Sequence, residues 1–215
     1  TLVDSINIFL TIFSFGNEFG NSRHAISNVL IMEKTELQRT VNTKSKTGNF
    51  GVWWHKANPG PLKNIPYINQ FGSMRFTKVQ MDENMKPHGI EIHYVTSGKY
   101  DWVVERNNIE LLPDDLSITA PWHWNGSPTG KMVIGHFNWL IIKPLEFSPD
   151  KQLNLGSWTK LSKSFQKSLG KLIADEHNVV LHKAKDFRKY FEALNAELST
   201  QKEGYTIMVG NIVEN

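Results

Sequence analysis

Cysteine is absent from all 215 residues, which excludes disulfide frameworks, thiol nucleophiles and thiolate metal sites. Any metal would have to be held by histidine and carboxylates. An excess of one charge is also missing: 24 Lys and Arg against 21 Asp and Glu leave +3, too weak a field to indicate nucleic-acid binding. Long apolar runs are missing too. The opening Ile6 to Phe13 falls well short of the roughly 20 residues a membrane helix needs, and Asp4, not a Lys or Arg, precedes it, unlike a signal peptide. Its β-branched and aromatic content suits a buried strand. Apolar residues at 40% and charged residues at 21% favour neither disorder nor a fibrous class. The composition therefore predicts a soluble, cytoplasmic chain without a membrane partner, folded as one unit with appendages.

What is present is uneven along the chain. Up to about residue 70 a strand-like start gives way to the Val29-Leu30-Ile31-Met32 run and then to the polar Thr40 to Gly48 stretch, read as a loop. Trp53-Trp54-His55 precedes Asn58-Pro59-Gly60-Pro61, which forbids regular structure. The tryptophan pair could stack on a carbohydrate; the reading preferred from sequence is a cover over a core edge. From Met74 to Ile142 short apolar runs alternate with turn signals, the pattern of a sandwich or barrel. Strands are expected over Ile90 to Val95, Tyr100 to Glu105, Ile109 to Leu112, Leu116 to Ala120 and the long run Lys131 to Ile142. In the first, Glu91, His93 and Val95 share one face and Ile90, Ile92 and Tyr94 the other.

After Pro144 the period lengthens to that of a helix. Ser157 is the expected N-cap of a helix carrying Trp158, Leu161, Phe165, Leu169 and Leu172 on one stripe. Lys160, Lys163, Lys167 and Lys171 oppose that stripe and read as a solvated face. From about Asp186 a second helix places Phe187, Phe191, Leu194 and Leu198 on an apolar stripe that needs a partner surface. A third pattern begins at Tyr205 with Ile207, Met208, Ile212 and Val213, and the chain is expected to continue beyond it.

The stretch Pro87 to Gly98, followed by Leu111 to Pro121, resembles the two signature segments of the cupin barrel, and most of all the version found in AraC-type transcriptional regulators. Glu91 with Gly98, Asp115 and Pro121 match the pattern. The run His136 to Pro144 is similar to the strand that bears a sugar-stacking tryptophan in the arabinose-responsive member, and Trp139 falls on that position. The likeness covers about Arg75 to Pro144, with the following helices matched loosely. It implies a fold that is mainly β with helices: a cupin-like antiparallel β-barrel over 71–145, an arm and accessory strands over 1–70, and a helical dimerisation segment over 146–215, ending before a DNA-binding domain.

Metal-bearing cupins carry histidines where this chain has Asn84, Lys86 and Asn125. Glu91 is the one ligand retained, so the resemblance implies neither metal nor cofactor, and Asp114 replaces the glycine of the usual Gly-Asp pair. The barrel is then expected to bind a small polar effector, sugar-like in character, through Glu91, His93, Asn125 and Trp139, with Phe137 filling the barrel beside them. Homodimerisation is expected through Phe187, Phe191, Leu194 and Leu198, and DNA contact only through a domain outside this chain. The alternatives left open are a metal-dependent cupin enzyme, a dioxygenase or sugar isomerase with a rearranged His and Glu site drawing on His93 and His123, and a carbohydrate-binding module using Trp53 and Trp54.

Overall fold

The computed structural model describes residues 50–215 apart from 78, 81–85, 133, 151 and 176–179. The apolar opening, the Val29 run, the Thr40 to Gly48 stretch and Asn84 lie outside the described residues. In chain order the strands begin with β1 (Phe50–Trp54), β2 (Ile68–Phe76), β3 (Val79–Gln80) and β4 (Ile90–Ser97). They continue with β5 (Tyr100–Val104), β6 (Asn107–Leu111), β7 (Leu116–Thr119), β8 (Asn125–Gly126), β9 (Lys131–Met132) and β10 (Gly135–Ile142). Two short strands, β11 (Glu146–Phe147) and β12 (Leu153–Asn154), precede helix α1 (Lys163–Ile173). β13 (Val180–Leu181), α2 (Arg188–Thr200) and α3 (Tyr205–Glu214) follow.

The strand pairings are antiparallel, and the class is mainly β with helices after it. The main sheet has the order β1-β2-β10-β4-β7-β13, and a second sheet the order β6-β5-β8. Among the described residues the hydrogen bonds thus divide between facing sheets instead of running round one closed ladder. Among the described residues the sheet begins at Phe50, and residue 71, expected to open the barrel, lies inside β2.

Alternation along β4 and β10 gives the main sheet two apolar faces. One packs Val95, Phe137 and Phe76 against Tyr100, Trp102, Val104 and Leu111 of the second sheet. The other packs Ile90, Tyr94, Phe71, Leu140 and Ile142 against Ile173 of α1, Phe191, Leu194 and Leu198 of α2 and Val209 of α3.

That second core corrects the expectation for α2. Phe191, Leu194 and Leu198 are no more than 5% exposed, with Phe187 partly buried against the same core. The partner of the stripe is the protein's own sheet, so these residues are not a free dimerisation face. α1 starts later than the apolar stripe suggested: the side chain of Ser162, not Ser157, accepts from Phe165 N at 3.2 Å. The four lysines opposite are exposed, as a solvated face should be. The Lys131 to Ile142 run is broken between β9 and β10, where Ile134 is 73% exposed. No helix among the described residues is long and apolar enough to cross a membrane.

Candidate functional site

β4 turns Glu91 and His93 toward the second sheet, where they are 5% and 3% exposed. Asn125, 1% exposed on β8, donates from Nδ2 to Glu91 Oε2 at 3.1 Å and to Thr119 Oγ1 at 3.2 Å. His93 Nε2 lies 3.2 Å from Glu91 Oε1. Burial pushes the Glu91 carboxyl up, but the imidazole beside it and the hydrogen bonds from His93 and Asn125 outweigh burial and hold it below its ordinary value. Carboxylate, imidazole and amide therefore converge: alternation along β4 puts Glu91 and His93 on one face, and β8 brings Asn125 to them.

Several groups around them lack partners. Among the described residues His93 Nδ1, Asn125 Oδ1, Ser117 Oγ and Trp102 Nε1 are buried without a hydrogen bond. Ser117 pairs with His93 across β4 and β7, and the Trp102 ring meets the His93 ring at 4.9 Å, edge to face. Each such group costs about 1–3 kcal/mol when left unsatisfied. As a purely structural core this is an expensive arrangement; as a set of donors and acceptors for a hydroxyl-rich molecule it is serviceable.

The resemblance implies that Trp139 faces Glu91 and His93 across the barrel, and the structure places it elsewhere. It is the direct cross-strand neighbour of His93, not opposite it across a barrel, and its six-membered ring rests on Gly72 of β2. A Cβ added at Gly72 would stand 2.1 Å from Trp139 Cζ2. The indole so placed meets Trp53 of β1 at 6.1 Å and an angle of 69°. Phe137 bridges the two parts, 5.0 Å from the His93 ring and 6.4 Å from that of Trp139. One register row thus crosses five strands as Trp53, Gly72, Trp139, His93 and Ser117. From sequence Trp53 reads as a cover over a core edge, with carbohydrate stacking beside Trp54 as the alternative; the glycine that lets Trp139 lean toward it was the further signal, and it needs the β1–β2 register to be read.

The residues present do not fit a resident metal. Glu91 and His93 spend their facing atoms on each other and on Asn125, and no group of three or more His, Asp or Glu among the described residues is arranged to hold an ion. His123 Nδ1 instead accepts from Ala120 N at 3.3 Å. Lys86 stands over the Trp124 ring at 4.9 Å.

On its outward face β4 presents Tyr94, fully buried, whose ring stacks on Phe191 of α2 at 5.5 Å. Its hydroxyl donates to Asp114 Oδ1, which also accepts from Arg188 Nη2 at 2.8 Å. Burial first, then the bond to Asp114, pushes the Tyr94 phenol up to about 12. Asp115 accepts from Leu112 N at 2.9 Å and Lys183 N at 3.3 Å and lies 3.0 Å from His182 Nδ1. The Asp114-Asp115 turn thus ties β4 to the segment that enters α2.

No family model and no curated protein matches the chain. Similar solved structures include an AraC-like transcriptional activator, CuxR, at 12% identity and a TM-score of 0.39, covering 82% of this chain and 59% of that one. A cupin superfamily protein from Desulfitobacterium hafniense is 11% identical at a TM-score of 0.30, covering 44% of this chain and 77% of its own. A variant of oxalate decarboxylase from Bacillus subtilis is 14% identical at 0.34, covering 56% and 32%. A regulator and an enzyme thus stand side by side among them, and at these scores none bears on what the buried groups of this chain do.

Proposed function

We propose that this chain is the effector-sensing portion of an AraC-type transcriptional regulator, binding a small polar, sugar-like molecule on the inner face of its main sheet. The observation that carries this reading is the two-faced strand β4. Glu91 and His93 point from it into the cluster with unsatisfied partners, while Tyr94, one residue on, is stacked and hydrogen-bonded to α2. A ligand that completes the bonds of His93 and Asn125 has to part the packing around them. Movement of β4 then reaches the helices directly, which is a population shift between two arrangements. In this reading the ligand is held by hydrogen bonds and an aromatic face. In this reading DNA is contacted by a domain beyond this chain, and the regulator works as a homodimer through a surface other than the α2 stripe.

The test is a calorimetric screen of monosaccharides and sugar acids on the parent, Trp139→Ala and Glu91→Gln. Loss of the indole should weaken binding by about 1–3 kcal/mol, roughly five- to a hundredfold, and Glu91→Gln should weaken it as well. A ligand held equally by all three proteins would place the site elsewhere. A monosaccharide or sugar acid turned over by the parent would replace sensing with catalysis.

A further inference from the structure

We infer that Trp53 is a second ligand-contacting residue, forming with Trp139 a two-walled aromatic corner over Gly72 that holds the ring of the bound molecule and determines which rings fit. The inference rests on the ligand-sensing reading and extends it to a residue outside the expected set.

Four observations lead there. Trp53 is 49% exposed, so half of a large apolar side chain remains in water on β1, the edge strand of the main sheet among the described residues. That exposure is not slackness: its indole is held by His55 at 4.6 Å and donates from Nε1 to Gln70 Oε1 at 3.3 Å. A tryptophan that merely covers the core would lay its face on aliphatic groups, whereas this one is braced by polar side chains and meets Trp139 at 69°. Gly72, between them in the register, lets the Trp139 indole lie flat on the backbone as one wall of the corner, and a Cβ there would collide with that ring at 2.1 Å. Finally, His93, 3% exposed and next in the row, offers a buried Nδ1 without a partner.

Two indole planes at a steep angle suit a small ring with an apolar face and a hydroxyl rim. One face stacks on one indole, the edge meets the other, and the rim is presented toward His93. An open-chain acid would fill one wall only. Fixed aromatic walls also lower the ordering cost of binding.

Titration of the full chain with monosaccharides and sugar acids identifies a probe, and the same titration is repeated on Trp53→Ala, Trp53→Phe and Gly72→Ala. Trp53→Ala should weaken the probe about five- to fiftyfold and Trp53→Phe by about threefold or less. Gly72→Ala, which keeps both indoles but forces Trp139 aside, should weaken it as strongly as Trp53→Ala. Should Gly72→Ala fail to fold by circular dichroism, the two variants at half-exposed Trp53 decide the matter. A probe bound as tightly by Trp53→Ala as by the parent overturns the corner while leaving the sensing function intact. A parent that binds no sugar or sugar acid overturns both, and does so before any substitution is made.

Discussion

At Asp114 a carboxylate occupies a backbone conformation that glycine would take more cheaply, with φ at +67°. The cupin pattern that the sequence resembles has glycine here; in this chain the side chain at that position bonds Tyr94 and Arg188. Those bonds and the Arg188 charge hold the Asp114 carboxyl below its ordinary value. Asp114→Ala should therefore lose the bonds and keep the strain, costing about 2 kcal/mol after allowance for partial solvent screening. Asp114→Gly should cost less, because it relieves the backbone; urea unfolding of the two variants that gives equal losses would show that the strain is negligible.

Glu91 sets a pH limit of another kind. Its folded carboxyl titrates below the ordinary 4.5, so the unfolded chain takes up its proton first as pH falls. The stabilisation is full above about 4.5 and is lost as pH drops through the folded value. Glu91→Gln should flatten this acid limb in denaturant titrations; an unchanged limb would mean that other carboxylates govern it. Tyr94 acts at the opposite end, its contribution complete below pH 10 and lost as pH rises toward about 12. At this scale the shared face of Glu91 and His93 was legible from period-two alternation, and its inward aim from the resemblance to the cupin pattern. The lean of Trp139 was not, since it follows from a glycine on a different strand.

Among the elements, α2 departs furthest from its expected role. Its period placed the helix within two residues of its observed start, but a periodic stripe says only that a partner exists, not which chain supplies it. Here the sheet supplies it. Phe191→Glu with Leu194→Glu should consequently unfold the chain instead of releasing folded monomers, because each buried side chain contributes about 1.5–3 kcal/mol and an unpaired buried charge adds a further penalty. Folded, monomeric double variant by circular dichroism and sedimentation would restore the stripe as an interface. The misplaced start of α1 has a related cause. Trp158 and Leu161 pack on the core from irregular backbone ahead of Ser162, and apolar spacing does not distinguish a packed lead-in from a helical turn. Likewise the break at Ile134 lies just before Gly135 and His136, inside a run read from sequence as one strand.

Across the whole molecule the main sheet is a partition with a core on each side, one shared with the second sheet and one with the helices. The mainly β class and the order of strands followed by helices were readable from the change of period near Pro144. The division into two sheets was not, because closure depends on pairings between distant strands that local patterns do not encode. The partition also constrains how such a chain can diverge. Substitution at Glu91 or His93 alters one side alone, and substitution at Tyr94 the other. Deleting a single residue within β4 would instead transpose the two sides at once, sending the carboxylate and imidazole among the helices and the tyrosine among the aromatics of the second sheet. Length variation should therefore be confined to turns such as Glu105-Arg106, between β5 and β6, while β4 tolerates new side chains but no change in count.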